Sequence, residues 1–494
     1  MIFLLVVLVL FLAVLIKLYY RYYTVDAYLT SIPGPKSLSI LKNTLGFRRP
    51  FLDVLNNYFQ QFGDTFKFET IFLYVGVTTR DADLIQFVLN SPKLLEKGNS
   101  YKFLHNLLGN GLLTNNGSIW KHHRKLITPC FHYTILEGFL DLFHSCESFL
   151  LANLEKEVGK EVVDIFSIVR VHTLNMICTS SMGSTIKANS NFFQNINDLC
   201  RIFAERIISP VKSMDLFFSL TTDYKVQQQA VTNMHQYTDL IISSRRKELQ
   251  NKNKAINLPV DDTGKKKKLS FLDTLLQSQT ECSTLTDKEI RDEVITFMLA
   301  GYETIASTLS YVLYSLAQNP DVQNKVVDEL KLIFGNEKNT QSTMDNLLNM
   351  KYLEMVIKET LRLYPVAPVI TRAVTEDITF GNITFPKGVN ISMSIFDLHR
   401  NPKYYENPEQ FDPERFNLEN IMKRPSCAYI PFSSGMRNCI GQNYAILETK
   451  SVLSKILRNF EILPSPADEG LKLQANVVLR STTGIKIQLK QRKF

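Results

Sequence analysis

The chain opens on an unbroken apolar run, Met1 to Ile16, and because Lys17 can snorkel, the run extends through Leu18, Tyr19 and Tyr20. Roughly 20 such residues let a helix cross the hydrocarbon layer, so the pattern predicts a single membrane anchor over residues 1–22. A cleaved signal peptide carries its basic residues before the apolar run and a small-residue site after it. Here Lys17 and Arg21 follow the run, and Lys17 to Arg21 holds no small residue. Ile32-Pro33-Gly34-Pro35 then makes a stiff turn, so residues 23–36 read as a hinge and 37–494 as the body.

Within the body, extended patterns occur at Thr65 to Thr79, Ile378 to Ile395 and Val477 to Leu489, and most of the rest has helical periodicity. The fold class expected is mainly α with minor β. Asn251 to Ser270, with Pro259, Gly264 and the run Lys265 to Lys268, reads as a solvated loop. Thr286-Asp287-Lys288-Glu289 has the form of a capping box, and Asn319-Pro320 is a stop. Between them the spacing predicts a helix of about 32 residues, roughly 48 Å long at 1.5 Å per residue. From Val294 to Leu316 it is apolar nearly all round, which places it in the middle of the protein. A shorter amphipathic helix is predicted from Tyr444 to Leu457.

Composition adds limits. With 45% hydrophobic and 21% charged residues the chain is an ordinary globular one, and a net charge of +8 over 494 residues is too weak to argue for nucleic acid. Lys17, Arg21, Lys36, Lys42, Arg48 and Arg49 all lie on or after the anchor's downstream end, which by the positive-inside rule leaves the body in the cytosol. Seven cysteines with no Cys-x-x-Cys pair disfavour both a disulfide framework and a zinc site.

Two segments break the local rules. In the middle of the apolar helix, Ala300-Gly301-Tyr302-Glu303-Thr304 sets a helix-weakening Gly beside an ionisable group and a hydroxyl. Thr304 can bond back to the carbonyl of Ala300, and Gly301 can let a ligand approach the backbone, which together would make a polar notch. Equally, Glu303 can pair with a base from another element while Gly301 serves helix packing. The second segment is Phe432-Ser433-Ser434-Gly435-Met436-Arg437-Asn438-Cys439-Ile440-Gly441. Cys439 lies just before the predicted helix at Tyr444, whose N-terminus favours a thiolate. Gly435 and Gly441 allow a tight loop, Arg437 can meet an anionic group, and Phe432 can pack on the sulfur. With no second Cys or His beside it, a metal held by Cys439 must bring its other ligands, as haem does.

This second segment resembles the Phe-x-x-Gly-x-Arg-x-Cys-x-Gly pattern of the cytochrome P450 superfamily, the haem-thiolate monooxygenases. Ala300 to Thr304 is similar to the same family's distal-helix motif, Glu359-Thr360-Leu361-Arg362 to its Glu-x-x-Arg, Pro413-Glu414-Arg415-Phe416 to the segment that completes that ion cluster, and Trp120-Lys121-His122-His123-Arg124 to Trp-x-x-x-Arg. The resemblance implies the cytochrome P450 fold, with haem b as cofactor and Cys439 as its axial iron ligand. It assigns Trp120, Arg124, Arg372 and Arg437 to the haem propionates, keeps Phe432 beside the cysteine, and makes Glu359, Arg362 and Arg415 structural. It also implies a proton relay through Thr304 and Glu303. The partners implied are an NADPH-dependent reductase, with cytochrome b5 as a second donor, and the setting is the endoplasmic-reticulum membrane. Gly109-Asn110-Gly111 lacks a third Gly at 114, so no dinucleotide fingerprint is complete and electrons must come from another protein.

The pattern is closest to the family 4 clan, which holds fatty-acid ω-hydroxylases and many insect enzymes. Where acyl-hydroxylating members often carry a Glu just before the helix Gly, this chain has Ala300, so a haem without a covalent link is expected. The leading reading is a monooxygenase inserting one oxygen atom from O2 into a lipophilic substrate: a fatty acid, a sterol or terpenoid, or a foreign compound. Alternatives are a haem-thiolate isomerase or dehydratase, which can dispense with the relay, and a catalytically silent haem-binding protein. Substrate-lining residues are expected in Leu94 to Thr114, around Ile202 to Thr222 and in Val366 to Ile370.

Overall fold

The computed structural model describes residues 27–35, 50–70, 74–183, 190–255, 270–282 and 285–494. The anchor expected over residues 1–22 lies outside them. Among the described residues no helix is long and apolar enough to cross a membrane.

The long helix forms where the capping box predicts, Asp287–Gln318. Thr286 Oγ1 accepts the Glu289 amide at 3.2 Å and Glu289 Oε2 accepts the Thr286 amide at 2.8 Å, so two of the helix's free N–H groups are satisfied. Between Asp292 and Ala317 every residue is buried except Leu299, Ala300, Gly301 and Thr304. The buried hydroxyls on this stretch bond back to the preceding turn, Ser307 to Glu303 O at 2.9 Å and Ser310 to Ala306 O at 2.7 Å, which lets them sit in an apolar core. The helices Ile165–Met182, Lys351–Leu363 and Gln442–Asn459 pack around this central one and share its core.

The β structure is small and lies to one side. One sheet has four strands in the order Thr65–Thr70, Tyr74–Thr79, Asn390–Ser394, Val369–Ala373. Its middle pair is parallel, with Gly76 opposite Asn390, and its outer pairs are antiparallel. A second core lies between this sheet and the helix Ala82–Asn90, and it takes in Leu29 and Ile32 from the expected hinge. The Lys67 amide donates to Pro33 O at 2.8 Å, so the Pro-Gly-Pro turn is docked on the body.

Three strand expectations hold in place, and four strands had no clear pattern: Val163–Asp164, Val369–Ala373, Phe460–Pro464 and Leu473–Ala475. The loop expected from Asn251 begins later, because the helix Thr222–Ala255 runs on to Ala255. Residues 256–269, including the lysine run, lie outside the described residues.

Candidate active site

The Cys439 loop is built by backbone geometry that few side chains tolerate. Gly435 has φ +70° and packs so closely on Leu89 that a Cβ would come within 2.1 Å of its carbonyl oxygen. Ser433 adopts φ 60° without being a glycine, a conformation that costs energy and is held by its amide donating to Ile430 O at 3.0 Å. The Cys439 amide donates to Phe432 O at 2.9 Å, which closes the loop and fixes Phe432 beside the cysteine. The helix Gln442–Asn459 then begins, slightly earlier than its apolar pattern.

Among the described cysteines, Cys439 is the exposed one, yet burial raises its thiol above the ordinary range, with the Gly441 amide and Arg124 opposing. Open surface combined with strong desolvation describes a side chain on the wall of an internal cavity. The helix N-terminus favours a thiolate and burial opposes it, and the charge of a bound metal ion would add to the first.

A cationic cluster lies near the loop. Arg372 is buried, and among the described residues its guanidinium donates to the neighbouring carbonyl of Thr371 at 3.2 Å and to no other group. Arg437 is buried with its guanidinium over the Trp120 ring, 4.4 Å from the centroid, and burial, reinforced by Arg372, lowers it to about 9. Lys97 forms a β-bridge with Arg372, and burial followed by the charges of Arg372 and Arg437 puts its ammonium well below the ordinary lysine range. Its Nζ sits 4.8 Å from the Tyr101 ring centroid. Among the described residues none of these three cations forms an ion pair with a carboxylate. Arg372 and Arg437 are buried and Lys97 is half-buried, and buried cations without an anion cost several kcal/mol each unless a ligand supplies negative charge. A dianionic group such as the two propionates of haem fits them.

The structure brings Trp120, Arg372 and Arg437 into this cluster, and Arg124 lies close enough for its charge to act on Arg437. Arg124 donates through Nη1 to Asn438 O and through Nη2 to Asn438 Oδ1, both at 2.8 Å, and so clamps the thiolate loop from outside. Lys97 and Tyr101 were missed because an isolated Lys before a Gly has no periodic or motif signal. Only the strand pairing shows that they face Arg372.

The central helix resolves the two readings of its notch. Thr304 Oγ1 donates to Ala300 O at 2.7 Å, as its position predicts. Gly301 serves packing: a Cβ there would meet the Ile177 side chain at 2.8 Å. Glu303 does not stand free beside Thr304. It is buried, and its Oε1 accepts from Arg480 Nε at 2.8 Å and also from Arg480 Nη2. Arg480 is fixed in turn by donating from Nη1 to Asn197 Oδ1 at 2.8 Å. The open face of the helix is thus Ala300 and Thr304, one turn apart, and the carboxylate lies off that face.

The Glu359 and Arg362 pair is an interior device. Both side chains are fully buried and joined twice, at 2.7 and 2.8 Å. Arg362 also reaches His399 O and Gln410 O, and Arg415 Nε lies 3.6 Å from Glu359, so the cluster ties the segment after His399 to the helix Lys351–Leu363. Of the charged run on the Trp120 helix, Gly117–Ile127, Lys121 and Lys125 are exposed, whereas His123 is buried.

Comparison with known proteins agrees with this geometry. The family model described as Cytochrome P450 matches residues 32–489. Among curated proteins the chain is 36% identical over 483 residues to Cytochrome P450 4c3 of Drosophila melanogaster, covering 94% of this chain and 90% of that protein. It is 37% identical to Cytochrome P450 4d2 of the same organism, covering 93% and 94%. Against Cytochrome P450 4V2 of Homo sapiens the identity is 38%, covering 85% and 82%. An accessible cysteine in a glycine-shaped loop, buried cations near it, a hydroxyl-bearing notch in the central helix and these matches along the chain have one explanation: the chain belongs to the cytochrome P450 family and is of family 4 type, and members of the family are monooxygenases that bind haem b and receive electrons from a reductase.

Proposed function

We propose that this chain inserts one oxygen atom from O2 into a lipophilic substrate, a fatty acid, a sterol or terpenoid, or a foreign compound, with electrons from NADPH delivered by a separate reductase and cytochrome b5 as a second donor. The observation that carries the reading is the break in burial at Leu299 to Gly301 and Thr304 of the central helix, with Ala300 and Thr304 one turn apart, together with the accessible yet desolvated Cys439. On this reading they bound one space. Haem held there by Cys439 supplies the activation of dioxygen, which thiolate donation favours. Lys97, Arg372 and Arg437 hold the propionates, with Trp120 stacked beneath Arg437. Thr304 spends its own proton on Ala300 O, so Oγ1 is left to accept from a water and hold it for proton delivery. Glu303 acts behind Thr304, and its pairing with Arg480 keeps the carboxylate in place.

A membrane setting is supported by an exposed apolar patch in the segment after Ile202. Phe218 is buried there, but Val211, Leu216 and Leu220 are 59%, 74% and 81% exposed. That part of the segment faces outward, contrary to its expected place in the substrate lining, and suits the interfacial region of a bilayer. We place the protein on the endoplasmic-reticulum membrane, held by the anchor of residues 1–22, with its body in the cytosol.

The test is turnover with reductase and NADPH under 18O2, using panels of fatty acids, sterols, terpenoids and drug-like compounds chosen by substrate-binding difference spectra. A product carrying one 18O atom supports the reading. Rearranged hydroperoxides with no dioxygen-derived label would instead identify an isomerase or dehydratase.

A further inference from the structure

The Gly109-Asn110-Gly111 turn and the buried His123 have no part in the reading above, and the structure joins them. The loop Gly109 to Asn116 bonds both to the central helix and to Arg437. Two of its N–H groups reach the helix: Asn110 N donates to Asp292 Oδ2 at 2.9 Å and Leu112 N to Glu293 Oε2 at 3.1 Å. Three of its acceptors take bonds from Arg437, which donates to Leu112 O at 3.3 Å, to Asn115 O, and to Asn116 Oδ1 at 2.8 Å, as well as to Leu95 O outside the loop at 3.0 Å. The two glycines permit the approach, because a Cβ on Gly109 would meet the Asp292 carboxylate at 2.1 Å and one on Gly111 the Thr296 hydroxyl at 2.1 Å. Asn116 Oδ1 also accepts the Lys97 amide at 3.1 Å, so the same loop touches two of the three cations.

What holds Glu293 is His123. Glu293 is fully buried, and its second oxygen lies 2.7 Å from His123 Nδ1. His123 Nε2 is 3.9 Å from Glu289. The residue after His123 is Arg124, the clamp on the thiolate loop.

We infer that His123 and Glu293 are positioning residues for the cofactor: through the Gly109 to Asn116 loop they set the place of the Arg437 guanidinium, and so govern how firmly haem is retained. The inference rests on the reading of Arg437 as a propionate partner. A hydrogen bond lost at Glu293 would free Leu112, and the carbonyl of that same residue is one of the acceptors that orient Arg437.

The test measures transfer of haem from purified holoprotein to excess apomyoglobin, together with the ferric/ferrous potential and the denaturant midpoint. His123→Leu and Glu293→Leu should each speed haem transfer by about tenfold, the size expected for losing an outer partner of a cofactor ligand, and should shift the potential negative as the guanidinium moves away. His123→Gln, which keeps an N–H for Glu293, should restore both values. Arg437→Lys should speed transfer by itself, and adding Glu293→Leu to it should then change little. If the Leu variants lower the denaturant midpoint while haem transfer and potential stay at wild-type values, the pair is only structural and the inference is overturned. An Arg437→Lys protein with wild-type haem transfer would instead overturn the propionate assignment. A Leu variant that purifies without haem is judged by His123→Gln: full rescue supports the inference, and no rescue counts against it.

Discussion

Arg480 and Glu303 are joined through two donors on one carboxylate oxygen, with Arg480 coming from the short strand Leu479–Ser481 and Glu303 from the centre of the long helix. The pair, extended to Asn197, ties three separate elements together: this hairpin, the central helix and the helix Ser190–Ile208. Both side chains are largely removed from water, so neither charge is cheap to leave alone.

Replacing Arg480 with Met should therefore destabilise the protein by about 3 kcal/mol, because a buried carboxylate loses its partner. Arg480→Lys, which keeps the charge, should lose less. Denaturant midpoints of the holoproteins measure this, and a Met variant as stable as wild type would show that the pair contributes nothing.

Thr304→Ala tests the chemistry apart from the fold. Among the described residues the hydroxyl bonds only within its own helix turn, so its removal should leave haem binding and stability nearly unchanged. Peroxide released per NADPH consumed should rise severalfold, since the site that holds water for proton delivery is lost. An unchanged ratio would remove Thr304 from the relay.

These two residues mark what could be read from the chain. The capping box, the stop at Asn319-Pro320 and the apolar surround placed the central helix almost to the residue, because those signals are local. The Cys439 loop was legible for the same reason: its glycines and its cysteine serve one tight turn. The partner of Glu303 was not legible. Arg480 is 177 residues away in sequence, on a three-residue strand whose extended pattern says nothing of the partner its side chain takes. Lys97 was hidden likewise, since only its bridge to Arg372 shows which way it faces. Short strands and long-range charge pairs are fixed by tertiary packing, and that information is spread over many residues.

Glu448 should make stability depend on pH. It is fully buried on the helix after Cys439, and burial pushes its carboxyl up to about 8, with the Tyr444 hydroxyl opposing and Glu147 adding to the shift. In the unfolded chain a glutamate titrates near its ordinary value of about 4.3. Between the two values the folded state holds a proton that the unfolded state has released, so this group's contribution to stability is fully present below about pH 4.3 and is lost as pH rises toward 8. The loss contributed by this group is on the order of a few kcal/mol. Glu448→Gln should flatten that part of the profile relative to wild type, which chemical denaturation at pH 5 to 8 would detect. Parallel profiles would show that Glu448 does not titrate in this range.

Lys121 and Lys125 are exposed on the Trp120 helix. If they dock an acidic reductase, Lys121→Glu should slow electron transfer at low salt, and the defect should shrink as ionic strength rises, because screening acts on exposed charges separated by solvent. Stopped-flow reduction across a salt series measures this. A rate equal to wild type at every salt concentration would mean that the face is only solvated.

The final prediction concerns how haem is attached. An ester link of the kind found in the ω-hydroxylase clan needs a carboxylate just before the helix Gly, and here that position is Ala300. Its side chain lies on the open face of the helix with Thr304, so it is the place from which a carboxylate would reach the ligand space. The next carboxylate along the helix is Glu303, and it is unavailable on two counts. Three residues on, it points about 300° around the axis from Ala300. It is also occupied by Arg480. Acidified organic solvent should therefore extract all of the haem from the wild-type protein after turnover with reductase, leaving a polypeptide of unmodified mass. Ala300→Glu, by contrast, should retain a fraction that carries one haem's added mass. Covalent haem in the wild type would show that Glu303 leaves Arg480 during turnover and would restore a fatty acid as the favoured substrate, whereas complete extraction from both proteins would show that Ala300 does not face the haem edge.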